Sequence, residues 1–252
     1  MAGKTALITG GAKRIGHAIT SYLAQSGYDV AIHCNASRAA GDALAEKINS
    51  EGGKAHVVVA DLSDPKAVAD IVPQAIGAIG PLSLLVNNAS VFEADDLETM
   101  TPESWTFHHD VNLKAPVFLA QAFAARVEPN QKGLIVNIID QRVLKLTPEF
   151  FSYQLTKSAL WVATRTMAQS LAPRIRVNAI SPGPTLQNAR QRPEDFQAQI
   201  DGVLLKRGPD LDEFGRTIVY LDETQSVTGQ MICLDGGQHL VWQTPDIAGI
   251  PE

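Results

Sequence analysis

The sequence predicts an α/β fold: one domain built on a doubly wound, seven-stranded parallel sheet with helices on both faces. Three observations predict it. Seven short β-branched runs alternate with longer amphipathic stretches, and that order requires parallel strands joined by crossover helices. The 252 residues show no repeat, no low-complexity tract and no Pro/Ser-rich linker, so residues 1–252 read as a single unit. Apolar residues make up 45% of the chain, enough for a full core.

The first run, residues 5–9, leads into Gly10-Gly11-Ala12-Lys13-Arg14-Ile15-Gly16 and an amphipathic stretch over 14–25. Glycines at a first strand-to-helix junction allow a tight turn, and they let backbone N–H groups and a helix N-terminus approach a pyrophosphate. Arg14 stands where a middle glycine is expected. The second run, 29–33, ends in His33-Cys34-Asn35-Ala36-Ser37-Arg38 before a helix over 37–50. NAD-binding chains place an acid there to hold the adenosine ribose. This chain has none, and Asn35, Ser37 and Arg38 can donate to a 2′-phosphate. That predicts NADPH rather than NADH; the alternative for Arg38 is a solvated first-turn residue.

The third run, 55–60, ends in Asp61-Leu62, where the carboxylate could accept from an adenine amine or cap the helix expected over 65–76. The fourth, 82–86, ends in Asn87-Asn88-Ala89-Ser90, small and amide residues that let a flat ring lie close. A single long helix is expected over 102–126. The fifth run, 134–139, precedes Asp140, and the helix expected over 150–171 carries Tyr153 and Lys157 four apart on one face. An ammonium beside a phenol favours phenolate, which predicts a lowered Tyr153 pKa and a proton donor for carbonyl or imine reduction. The sixth run, 176–180, opens an irregular segment from Pro182 to Gly208. A helix over 210–221 and a seventh run, 230–234, follow, and no period is evident after Gly236.

Charge and composition exclude several classes. The chain has 21 basic and 27 acidic residues, a net of −6, which argues against a nucleic-acid partner. No apolar stretch reaches the length of a membrane span, and no secretory leader is evident. Two cysteines are too few for a disulfide framework or a metal site. The cytoplasm is the expected compartment, and no metal is expected.

Taken together, Gly10…Arg14-x-Gly16, Asn87-Asn88-Ala89, Asn112, Tyr153-x-x-x-Lys157 and Pro182-Gly183 resemble the short-chain dehydrogenases/reductases over residues 4–239. The resemblance implies a Rossmann fold and a tetramer. It implies that Tyr153 donates the proton and Lys157 holds the nicotinamide ribose. Asn112 would support a relay water, and Pro182-Gly183 would lie against the nicotinamide carboxamide. The implied cofactor set is Gly10, Arg14, Ile15, Gly16, His33, Asn35, Ala36, Ser37, Arg38, Asp61, Leu62, Asn88, Ala89, Ser90, Tyr153, Lys157, Pro182 and Gly183.

One departure is informative. Asp140 occupies the position where the family usually has Ser, 13 residues before the Tyr. Pteridine reductases and bacterial dihydromonapterin reductases look like this. They share Lys13-Arg14-Ile15-Gly16, Asn88-Ala89-Ser90-Val91-Phe92 and an ending similar to Leu234-Asp235-Gly236-Gly237-Gln238-His239-Leu240. The resemblance implies a dihydropterin substrate stacked between the nicotinamide and Phe92. Arg14, Ser90, Phe92, Asp140 and Tyr153 would contact it, and Asp140, Tyr153, Lys157 and Asn112 would be catalytic. A loop over about 184–208 is expected to close over the substrate. The rival readings are a generic carbonyl reductase for an acyl or sugar ketone, and a non-catalytic NADPH-binding sensor. Helices 102–126 and 150–171, with Phe118, Phe123, Leu160 and Trp161, are expected to pack on a neighbouring subunit in a homotetramer. The tail with Trp242, Ile247 and Ile250 is expected to reach a neighbour.

Overall fold

Strand and helix alternate along the chain in the computed structural model, which describes residues 4–249 apart from 129, 189 and 245. The strands are β1 (Thr5–Ile8), β2 (Asp29–Cys34), β3 (Ala55–Val59), β4 (Leu84–Asn87), β5 (Gly133–Ile138), β6 (Ile175–Pro182) and β7 (Met231–Leu234). The helices are α1 (Arg14–Gln25), α2 (Arg38–Ser50), α3 (Pro65–Ile79), α4 (Pro102–His109), α5 (Ala115–Ala124), α6 (Phe151–Leu171), α7 (Pro193–Gly202) and α8 (Leu211–Glu223). All strand pairs are parallel, in the order β3-β2-β1-β4-β5-β6-β7.

Both faces of the sheet are covered, so the strands are apolar on both sides. Along β1 the pleat sends Leu7 into one core and Ala6 and Ile8 into the other. Leu7 joins Ile71 and Val72 of α3 and Leu119 and Phe123 of α5. Ile8 joins Ile19 and Leu23 of α1 and Phe214, Ile218 and Leu221 of α8. The strand order reverses between β1 and β4. In open α/β sheets the crevice beyond the strand ends at such a reversal is where ligands bind.

Several expectations need correction. The helix expected over 102–126 is interrupted by a π-helical turn, Asp110–Lys114, that widens the backbone around Asn112. The cap of α3 is Asp64, which accepts from the Lys66 N–H at 2.8 Å with Pro65 at the first helical position, so Asp61 is not the cap. Helix α3 continues past Pro73 to Ile79. The irregular stretch 182–208 contains α7, started by Pro193 with Glu194 and Asp195 in its first turn. Phe123 and Leu160 are buried in this chain's own core, so they are not free for a neighbour. The tail forms a short 3₁₀ turn at Gln238–Leu240; Trp242 and Ile247 are exposed, and Ile250 lies outside the described residues.

Candidate active site

A cavity of about 800 Å³ runs along the carboxyl ends of the central strands. At one end it is lined by Gly10, Arg14, Ile15, Gly16, His33, Asn35, Asp61 and Leu62. Here the β1–α1 turn packs on itself: a side chain at Gly16 would collide with the Gly10 carbonyl and meet Asn88 Nδ2 at 2.6 Å. Asn88 fastens the turn by donating to the carbonyls of Thr9 at 2.9 Å and Gly10 at 3.2 Å. The first turn of α1 has no side-chain cap on its N–H groups, and Lys13 to Gly16 all line the cavity. An open helix N-terminus in a polar crevice fits a dinucleotide pyrophosphate.

His33 is buried under this turn. Its Nδ1 accepts from the Gly10 N–H at 3.3 Å, so Nε2 carries the proton and donates to the Ala60 carbonyl at 3.2 Å. Burial lowers its pKa to about 4, keeping it neutral. Asp61 accepts from the N–H and hydroxyl of Ser63, both at 2.8 Å, and these bonds hold its carboxyl below the usual range. Asn35 lines the cavity, but Ala36, Ser37 and Arg38 do not. The Arg38 guanidinium is exposed and lies 3.4 Å from Asp42, one helical turn on.

At the other end the reactive groups converge. Tyr153 Oη donates to Asp140 Oδ2 at 2.9 Å, and Lys157 Nζ donates to the Ile138 carbonyl at 2.9 Å. Asp140 is fixed by its backbone position after β5, where Oδ1 accepts from the Arg142 N–H at 2.8 Å. The expected lowering of the Tyr153 pKa does not occur. Burial, then the Asp140 charge and hydrogen bond, push the phenol well above its ordinary value. Lys157 sits 5.7 Å from the Tyr153 ring centre without bonding the hydroxyl, and burial lowers its own pKa to about 8. The phenol therefore stays protonated at neutral pH, as a proton donor must.

Asn112 does not line the cavity. It clamps the loop after β4: Oδ1 accepts from the Val91 N–H at 2.8 Å and the Ser90 hydroxyl at 3.1 Å, while Nδ2 donates to the Val91 carbonyl at 2.9 Å. Nδ2 also donates to Thr156 Oγ1 at 3.4 Å, so the side chain positions the wall and both its N–H groups are engaged within the chain. Ser90 and Phe92 do face the cavity. One face of Phe92 is already covered by Phe150, with ring centres 4.2 Å apart, and Tyr153 meets Phe92 edge-on at 4.7 Å. Pro182 and Gly183 close the wall after β6, where a side chain at Gly183 would meet Asp235 Cα at 2.6 Å.

The sequence reading missed three arginine contacts. Arg14 donates to the carbonyls of Leu186 and Gln187, both at 3.0 Å, and so ties the segment after β6 to the glycine turn. Arg190 donates to the Phe92 carbonyl, and Arg142 lies beside Phe92 and Phe150. Arg142 sits in a three-residue 3₁₀ turn, Gln141–Val143, and Arg190 in a loop, and neither segment carries a periodic signal.

These features match known proteins. A family described as enoyl-(acyl carrier protein) reductase matches residues 10–239. The chain belongs to the short-chain dehydrogenase/reductase superfamily. It is 33% identical to an uncharacterised oxidoreductase of Methylorubrum extorquens, covering 93% of this chain and 97% of that one. It is 29% identical to a 3-oxoacyl-[acyl-carrier-protein] reductase of Staphylococcus epidermidis, covering 94% and 99%. Among solved structures it superimposes on FolM alternative dihydrofolate reductase 1 from Brucella suis, crystallised with NADP. That match has a TM-score of 0.95 and 57% identity over 97% of this chain and 98% of the other.

Proposed function

We propose that this chain is an NADPH-dependent oxidoreductase that reduces the C=N bond of a dihydropterin, with segment 184–208 closing over the substrate. We also propose that it works as a homotetramer in the cytoplasm. The observation that carries the reading is the Tyr153 Oη–Asp140 Oδ2 hydrogen bond of 2.9 Å in place of a Tyr–Ser pair. The 57% identity to an NADP-bound alternative dihydrofolate reductase supports it.

Gly10, Arg14, Ile15 and Gly16 would hold the pyrophosphate, and Asn35 with the neighbouring Ser37 and Arg38 the 2′-phosphate. Lys157 would hold the nicotinamide ribose, and Pro182-Gly183 the carboxamide edge. The chemistry the dinucleotide supplies when bound is a hydride to the ring carbon of the C=N bond. Tyr153 Oη holds the proton delivered to the neighbouring nitrogen. Asp140 Oδ2 accepts from that hydroxyl in the resting site, and after the transfer it takes a proton from solvent and passes it to the Tyr153 phenolate. Phe92, backed by Phe150, presents its ring to the flat substrate, and Ser90 offers its hydroxyl to the aminopyrimidinone edge.

The test is NADPH oxidation with 7,8-dihydromonapterin, 7,8-dihydrobiopterin and 7,8-dihydrofolate beside a panel of 3-oxoacyl and sugar ketones. The expected result is turnover of dihydropterins with ketones slower by at least tenfold. Preferred turnover of a ketone would make the chain a carbonyl reductase, and binding of NADPH without any turnover would make it a sensor.

A further inference from the structure

We infer that Arg142 and Arg190 form an anion subsite at the substrate end of the cavity, so that the preferred dihydropterin carries a carboxylate or phosphate on its side chain. The inference rests on the dihydropterin reading above. Both guanidinium groups line the cavity, and both lie close to the Phe92 ring, with centre distances of 5.3 and 5.5 Å. Phe92 in turn touches Tyr153. The positive charge is therefore one ring away from Tyr153.

The arginines are poorly satisfied within the chain. The Arg142 side chain is about three-quarters buried, yet its Nε has no hydrogen-bond partner, and its contact to Asp140 Oδ2 is long at 3.5 Å. A guanidinium has five donors in a fixed fork, and leaving a buried one unpaired is costly. Arg190 is bonded to the Phe92 carbonyl, and among the described residues no carboxylate pairs with it. Arg190 is exposed, as are Arg192, which is bidentate to Asp195, and Arg207, which reaches both Asp210 and Glu213. The cavity lining also carries the amides Gln141, Asn188, Gln191 and Gln199, which add hydrogen bonds without cancelling charge. Asp140 is the acid at this end, and it is already held by Tyr153 and the Arg142 N–H. A guanidinium fork suits an oxyanion, which it can hold through two parallel N–H bonds.

The experiment compares three 7,8-dihydropterins: one with a neutral hydroxylated side chain, its phosphate ester, and dihydrofolate with its glutamate carboxylates. The readout is the kcat/KM ratio of each anionic substrate to the neutral one, with NADPH saturating. In the unaltered protein that ratio should exceed one and shrink at high salt. Arg190→Gln should lower it by about tenfold or more through KM, the scale of a charge-assisted bond, and Arg190→Lys should recover part of it. Arg142→Gln should act in the same direction. Whichever anionic substrate has the higher ratio identifies the source of the oxyanion. Equal kcat/KM for charged and neutral substrates, or a ratio indifferent to Arg190→Gln, overturns the subsite while leaving the dihydropterin reading intact. No turnover of any of the three overturns both.

Discussion

At Asp140 a single side chain separates two chemistries. A hydroxyl there would share its proton with the phenol, whereas a carboxylate can only accept when ionised. It therefore keeps Tyr153 protonated and supplies a second site for a proton beside it. Asp140→Ala should lower kcat by roughly 10²-fold, the scale of general acid–base assistance, with little change in NADPH affinity. Asp140→Ser should lower dihydropterin turnover while weak ketone turnover holds or rises. Full dihydropterin activity in Asp140→Ser would remove the main ground for preferring pterins. His33 makes a different prediction, about stability. Its pKa falls from 6.5 in the unfolded chain to about 4 in the fold. Between those values the unfolded state binds more protons, so the stabilisation is complete above pH 6.5 and is lost as pH falls toward 4. At 1.36 kcal/mol per unit the loss is about 3 kcal/mol. Urea unfolding of the cofactor-free protein across this range should show the slope, and His33→Gln should flatten it. An unchanged slope in His33→Gln would assign the acid sensitivity elsewhere.

At the scale of elements, a buried polar ladder fixes how α6 carries the reactive pair. Asn87 of β4 donates to Asn137 Oδ1 of β5 at 2.8 Å, and Asn137 Nδ2 donates to Thr164 Oγ1 of α6 at 2.9 Å. All three residues are buried. Asn137→Ala would strand a donor on β4 and an acceptor on α6, at a cost of about 2 kcal/mol or more. A denaturation midpoint within experimental error of the unaltered protein would contradict that. The same elements show what the sequence could reveal. Tyr153 and Lys157 were legible because i, i+4 spacing on an amphipathic helix puts both on one face. The β strands were legible because parallel strands buried on both faces read as apolar runs. The π-helical turn at Asp110–Lys114 was not, since apolar residues continue through it and the break depends on Asn112 reaching Val91 in a distant loop. Helix α7 was not legible either: none of its residues is buried, so it has no apolar stripe to count. The Tyr153 pKa was misread because spacing places Lys157 nearby but reveals neither the burial of the phenol nor the charge of Asp140 against it.

For the whole molecule, the outer faces of α5 and α6 remain to be covered. Phe118 is 50% exposed and Val162 54%, and Leu155 is exposed on the same helix as Val162. A groove of about 480 Å³ runs beside Phe118 between α3 and α5, walled by Leu62, Val68, Ala115 and Ala122. Exposed apolar side chains beside an apolar groove suit contact with another protein surface. The net charge of −6 is modest, and spread over a chain of this size it does not prevent self-association. Tetramers of identical chains most often have three two-fold axes, at which each surface meets its own copy, so α5 and α6 would each face their counterparts. Sedimentation at micromolar concentration should therefore give a mass near four times that of the 27.1 kDa chain. Phe118→Glu should split the assembly, because a two-fold contact brings the new carboxylates of both partners together in a desolvated patch. The split protein should keep its far-ultraviolet circular dichroism, since Phe118 takes no part in any of the three core clusters. A mass near that of one chain for the unaltered protein would rule the tetramer out. An intact assembly in Phe118→Glu would move the interface away from α5.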